Sequence, residues 1–124
     1  MTNTSQSEFD GIEFVLAMLD WLEQREESAD AVDEAFDLLA DERRRLLLQV
    51  MRTYSEELTL PDAAEEVAVR ENGCKVTELS AERVANVYIS LYHDHMPRLV
   101  DAGLIEYDQE RDLVIPVEVR DNTL

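Results

Sequence analysis

Ser80 to Val117, SAERVANVYISLYHDHMPRLVDAGLIEYDQERDLVIPV, decides how the rest of the chain is read. Ser80 is an N-cap candidate, since its hydroxyl can accept from a backbone N–H of the first helical turn. After it, Val84, Val87, Tyr88, Leu91, His95 and Leu99 recur three and four apart, which lines them along one side of a helix. Asn86, Ser90, His93 and Pro97 project from the far side as a short, polar, almost uncharged stripe that suits a groove reader. Gly103 marks the stop, because glycine closes a helix C-terminus in the left-handed conformation without steric cost. Leu104 to Tyr107 and Leu113 to Val117 are β-prone runs on either side of Asp108-Gln109-Glu110-Arg111-Asp112, with Leu113, Ile115 and Val117 alternating to one face. A long helix running through a glycine into a two-stranded hairpin predicts the back half of a winged helix-turn-helix domain, with the hairpin as its wing. Pro97 lacks an N–H and pushes Met96 away from helical dihedrals, so a kink is expected near His93 to Pro97. Such a bend lets Leu99 and Val100 cover the core, or sets the angle at which the helix enters a groove.

Upstream, Asn72 to Leu79 has no helical period and offers Asn72-Gly73 as a left-handed turn. Thr59-Leu60-Pro61-Asp62 is a helix start: threonine caps, and proline is tolerated where its missing N–H would have no partner. Ala63, Ala64, Val67 and Ala68 then give a small-residue inner face that lets a neighbouring helix approach closely. Asp41 opens another helix, ERRRLLLQVMRTY, with Leu46, Leu47, Val50, Met51 and Tyr54 as core face. Arg43, Arg44 and Arg45 oppose the dipole at that helix start and require compensation, either by ion pairs with Asp37, Asp41 and Glu42 or by a bound phosphate. Before it, Val32, Ala35, Phe36 and Leu39 mark a short helix with Asp30 as candidate N-cap.

Glu26 to Asp30 is a polar break. On its N-terminal side Ile12, Val15, Leu16, Leu19 and Leu22 form one helical stripe, with Phe14, Met18 and Trp21 beside it. So broad an apolar face must be covered, by a second copy or by the domain itself, and a dimer helix is the preferred reading. Residues 1 to 8 are polar and expected to fray. The expected organisation is an acidic helical extension over 1–30, a winged helix-turn-helix domain over 31–118 and a tail over 119–124. The fold class is mainly α with a small β-hairpin.

The chain has 124 residues, enough for one self-supporting core plus an extension, and its one cysteine excludes an internal disulfide. No apolar run approaches the roughly 20 residues of a membrane span, and the first residues lack a basic-then-apolar leader, so a soluble cytoplasmic protein is expected. A net charge of −18 opposes nucleic-acid binding, which gains affinity by neutralising phosphates. Yet there is one lysine against ten arginines and 29 acids, the composition of a surface kept hydrated in multi-molar salt. At about 1 M salt the Debye length is about 3 Å, so distant carboxylates hardly act on a phosphate. Residues 1–35 carry ten acids against one arginine, whereas residues 72–103 carry four acids against Lys75, Arg83 and Arg98. The helix expected to read a groove lies in the least negative part of the chain.

Taken together, AFDLLADERRRLLLQVM, TLPDAAEEVA, REN and VYISLYHDHMPRLVDAGLIEYD resemble the small winged-helix domain of unknown function that is abundant in haloarchaeal proteins. The resemblance covers Ala35 to Val117 and is most specific in the spacing of Tyr88, Leu91, Tyr92, His95, Pro97, Leu99, Gly103 and Asp108. LLADERRRLLL is also similar to the opening of arsenical-repressor-like winged helices. The resemblance implies a DNA-binding regulator and accounts for the acidic composition. The wing turn DQERD departs from the pattern in having no glycine.

Phosphate loops, GxSxG and HExxH are absent from the sequence, and the acid pairs are solvated faces, so no enzyme is expected. His93 and His95 point about 200° apart on a helix, so neither a metal nor another cofactor is expected, and His95 reads as a hydrogen-bonded core histidine. The expected function is a DNA-binding transcriptional regulator of double-stranded DNA, acting as a homodimer. Asn86, Ser90 and His93 would meet base edges, Lys75 and Arg83 phosphates, and Arg111 the backbone or minor groove from the wing tip. The alternative is a winged-helix interaction or dimerisation module that does not touch DNA.

Overall fold

The computed structural model describes residues 11–117; the expected frayed start and the expected tail 119–124 lie outside the described residues. The chain divides between Asp33 and Glu34 into two compact units. In the first, α1 (Ile12–Glu23) forms where the apolar stripe predicts it and contains no buried residue. Helix α2 (Ala29–Leu39) runs across the division. Its first turn is capped by Ser28 and not by Asp30: Ser28 Oγ accepts from Ala31 N at 3.1 Å. Asp30 sits inside that turn, where its charge faces the positive end of the dipole.

The second unit opens its core with α3 (Glu42–Tyr54), capped by Asp41, whose Oδ1 accepts from the N–H groups of Arg43 and Arg44 at 2.8 and 3.3 Å. Leu47, Val50 and Met51 are buried, while Tyr54, expected on the core face, is 40% exposed in the last turn. Strand β1 (Leu58–Thr59) leads directly into α4 (Leu60–Asn72), where Thr59 Oγ1 accepts from Asp62 N at 3.1 Å and Pro61 occupies the first turn. Leu60, Ala63, Ala64, Val67 and Ala68 are completely buried, and the small side chains let α4 pack against both α3 and α5 (Ala81–Ser90). Gly73 ends α4 at φ +64, and a 3₁₀ turn over Val76–Glu78 bridges to α5.

The single long helix expected from Ser80 is three segments. After α5 comes a π-helical turn, Leu91–His95, in which Met96 N donates to Leu91 O five residues back, and then α6 (Met96–Asp101). Pro97 has no N–H to continue the ordinary ladder, and the widened turn takes up the mismatch. Leu99 reaches the core at 0% exposure, but Val100 stays 37% exposed, so only the first of the two covers it. Gly103, at φ +79, closes α6 with Gly103 N donating to Val100 O at 2.9 Å and Leu104 N to Leu99 O at 3.0 Å.

Strands β2 (Ile105–Asp108) and β3 (Leu113–Pro116) form the expected hairpin, extended to a three-stranded antiparallel sheet in the order β1-β3-β2. Leu58 faces Val114, and Tyr107 faces Val114 from the other side. The core-facing residues are Ile105 and Val114, while Leu113 and Ile115 on the opposite face are half-buried. Burial of Leu47, Leu60, Leu91, Leu99 and Ile105 stabilises the unit by about 2 kcal/mol per side chain before conformational entropy is charged against it. The chain is mainly helical, with a small sheet completed after its helices.

Candidate nucleic-acid interface

Helix α5 is fixed at its start by Ser80, whose Oγ accepts from Arg83 N at 3.1 Å. Val87 and Leu91 turn inward at 0% exposure, which leaves Arg83 and Asn86 exposed on the outer side of α5 and Ser90 half-buried. Arg83 and Asn86 share a shallow depression with Arg43, Ser80 and Glu82. His93 instead lines a cleft between the helix and the hairpin, with Tyr92, Met96, Pro97, Tyr107 and Gln109 among its walls. Lys75 is exposed on the turn before the 3₁₀ segment, where its N–H donates to Glu78 Oε1 at 3.0 Å. The expected DNA contacts therefore do not gather into one cluster. Exposed Glu82 and Asp94 accompany Arg83 and Arg98 along the helix, so its outer side is balanced in charge and not almost uncharged. Ile89, 53% exposed between Asn86 and His93, belongs to this face and was absent from the expected set. Its signal was that it falls off the Val84, Val87, Leu91 stripe.

The hairpin forms its turn without glycine. Asp108 Oδ1 accepts from Glu110 N and Arg111 N at 3.1 and 3.2 Å, and Asp112 takes the left-handed conformation at φ +56. Aspartate tolerates that region better than most side chains. Three bonds converge on Asp112: its carboxylate accepts from the Tyr88 hydroxyl at 2.9 Å and from the Tyr107 hydroxyl, and its carbonyl accepts from Leu60 N at 2.8 Å. Helix α5, both hairpin strands and the start of α4 are thereby tied to one residue. Burial, and then the bond to Asp112, raises both tyrosines above the ordinary phenol range. Tyr92 extends this seam, stacked on Tyr88 at 6.3 Å and edge-on to Tyr107 at 6.1 Å between ring centroids. At the hairpin tip Arg111 is exposed, and its Nε donates to Asp108 Oδ2 at 2.8 Å.

The three arginines opening α3 have protein partners, so their charge at the helix start is compensated without a bound phosphate. Arg43 donates through Nε and Nη2 to the Glu71 carboxylate at 2.7 and 3.0 Å. Arg44 donates to the carbonyls of Leu38 and Asp37 at 2.7 and 3.0 Å, and Arg45 to that of Leu39 at 2.6 Å. These last two guanidiniums satisfy the unpaired carbonyls at the end of α2 and meet the negative pole of its dipole. The pairing differs from expectation: Asp37 serves through its backbone, and Glu71 lies 28 positions away, where no local pattern points to it.

His95 is buried, as a core histidine should be, and bonded to this same cluster. Arg44 Nη1 lies 3.3 Å from Nδ1 and Asp41 Oδ1 lies 3.7 Å from Nε2. Burial depresses the imidazole pKa in spite of the nearby Asp41. Asp41 is itself lowered against its own desolvation, by His95 and by the two N–H groups it caps.

The expected dimer residues Ile12, Val15, Leu16 and Leu19 are between 42% and 56% exposed, with Leu22 intermediate. Among the described residues no helix is long and apolar enough to cross a membrane, and no group of three or more His, Cys, Asp or Glu could hold a metal ion. No curated protein and no solved structure matches the chain. Residues 36–115 match the family described as Domain of unknown function (DUF7344), and the chain belongs to that family.

Proposed function

We propose that the chain is a DNA-binding transcriptional regulator of winged helix-turn-helix type, working as a homodimer in the cytoplasm of a halophilic archaeon. Helix α5 is the groove reader. The observation that carries this reading is the outward side of α5, where Arg83 and Asn86 are exposed and Ser90 is half-buried on a helix whose opposite side is locked into the core by Val87. A rigid helix with polar side chains on its open side is what direct base readout needs. Recognition in strong salt rests on hydrogen bonds and shape, since counterion release is suppressed there. The test is selection from a random duplex pool in molar KCl, followed by binding titrations of the enriched sequence. Asn86→Ala combined with Ser90→Ala should weaken that sequence at least tenfold while leaving thermal unfolding unchanged. A pool with no enriched sequence, or a variant that binds equally well, overturns the proposal.

A second reading is a protein-interaction module. Two observations favour it: Ile89 places 53% of an apolar side chain in the middle of the reading face, and Arg111 is already paired with Asp108 at the wing tip. Ile89→Ser separates the two, because it should spare DNA binding but abolish a protein contact centred on α5.

A further inference from the structure

Helix α3 turns a mixed stripe outward beside an open apolar groove. Arg45, Leu48, Gln49 and Arg52 stand at offsets of three, four and seven, and the groove they edge is floored by Leu39, Leu104 and Val117. A second depression shares Leu48, Arg52, Leu104 and Val117 with it and continues to Met51 and Ile105, so the two are one groove between α3 and the hairpin. Leu39, Leu104 and Val117 are 43%, 41% and 39% exposed, an apolar surface rimmed by two cations. Arg45 uses Nη1 for the Leu39 carbonyl at 2.6 Å, and both arginines are exposed.

The complementary object is α1. Glu13, Leu16, Ala17 and Asp20 repeat the same offsets of three, four and seven, with acids where α3 has arginines and leucine where α3 has leucine. Charges seven residues apart on a helix are about 10.5 Å apart, so both acids can meet both arginines in one docking. Ile12, Val15 and Leu19, between 42% and 56% exposed, complete an apolar stripe beside those acids.

We infer that α1 of one copy docks on the α3–hairpin groove of a second copy, and that the exchange is reciprocal. Glu13 and Asp20 face Arg45 and Arg52, while Leu16 and its stripe cover Leu48, Leu104 and Val117. A helix of 12 residues is about 18 Å long. Specific dimers bury roughly 1,200 to 2,000 Å², an area more readily met by two symmetric dockings than by one. The inference rests on the homodimer proposed above and deepens it by naming both contact surfaces.

Sedimentation and native mass spectrometry test it, at the lowest KCl concentration at which circular dichroism shows the wild type folded. Gln49→Glu with Arg52→Glu on the groove should weaken dimerisation at least tenfold, as should Glu13→Arg with Asp20→Arg on α1. Mixing these two variants should recover a heterodimer, because the unaltered α1 of one copy then meets the unaltered groove of the other, while in the second docking the reversed charges attract at positions 49 and 52 and repel only at Arg45. Leu104→Glu, at a half-open position, gives a check that does not depend on charge pairing. A dimer that survives the groove variants, or monomeric variants that fail to combine, overturns these surfaces while leaving the homodimer standing. A wild type that sediments as a monomer overturns both.

Discussion

Asp112→Ala is expected to be the most damaging single change outside the apolar core. The substitution leaves the hydroxyls of Tyr88 and Tyr107 without their common acceptor and puts alanine at φ +56. A hydrogen bond to a charged acceptor contributes roughly 1.5 to 3 kcal/mol, here discounted to about 1 kcal/mol each because both rings and Asp112 are only half-buried and water can take over. The left-handed backbone adds about 1 kcal/mol for a residue with a Cβ and no local hydrogen bond. The total is about 3 kcal/mol, or a fall in Tm of roughly 12 to 24 °C for a domain of this size. Urea denaturation followed by tyrosine fluorescence and far-ultraviolet circular dichroism measures it. Asp112→Asn, which keeps the turn geometry and one acceptor oxygen, should cost only about 1 kcal/mol. Double-mutant cycles with Tyr88→Phe and Tyr107→Phe should each return a coupling of about 1 kcal/mol. If Asp112→Ala stays within about 0.5 kcal/mol of wild type, the convergence on Asp112 does not hold the hairpin and the reasoning fails.

Arg44→Met should destabilise the second unit by about 2 kcal/mol, since two carbonyls at the end of α2 and the buried His95 lose their donor together. Arg44→Lys should recover less than half of that in the same denaturation assay, because an ammonium lacks the planar fork; full recovery would contradict the shared-donor geometry. The pH dependence follows from His95, whose pKa is depressed in the fold by burial. Its contribution is present above the unfolded imidazole value of about 6.5 and is lost as pH falls through the lower folded one. Asp41, also depressed, adds a loss in the carboxylate range below it. Denaturation midpoints between pH 7 and 5 should therefore fall in wild type and stay flatter in His95→Gln; parallel curves would refute the assignment. The raised tyrosines act with opposite sign, their contribution being complete below about pH 10 and lost as pH rises through the folded values.

Helix starts were the most legible features, because a cap is a local event. Thr59 and Ser80 each accept the expected backbone bond, Asp41 caps the helix it was expected to open, and Gly73 and Gly103 hold the left-handed positions foreseen for them. Ser28 took the cap assigned to Asp30 because both residues satisfy the same local rule two positions apart. Strand β1 went unseen since two residues carry no alternation, and it exists only because β3 is there to pair with it. The partners of Arg43 and Asp112 are tertiary for the same reason: Glu71 and Tyr88 become neighbours only after the helices pack. The outward side of α5 was legible by periodicity as far as Ser90. Beyond it the π turn shifts the phase, and His93 ends up in the cleft beside the hairpin.

That widened turn also explains how one apolar stripe spans the interruption. From Val87 to Leu99 is twelve steps, which at 3.6 residues per turn would leave Leu99 about 120° around the cylinder from Val87. Both are nevertheless wholly enclosed. With one residue absorbed by the bulge the interval behaves as eleven steps, about three complete revolutions, and brings the two side chains back into line. The extra residue works as a phase corrector, so a relative lacking the bulge must also be one residue shorter between these positions to keep the same interior.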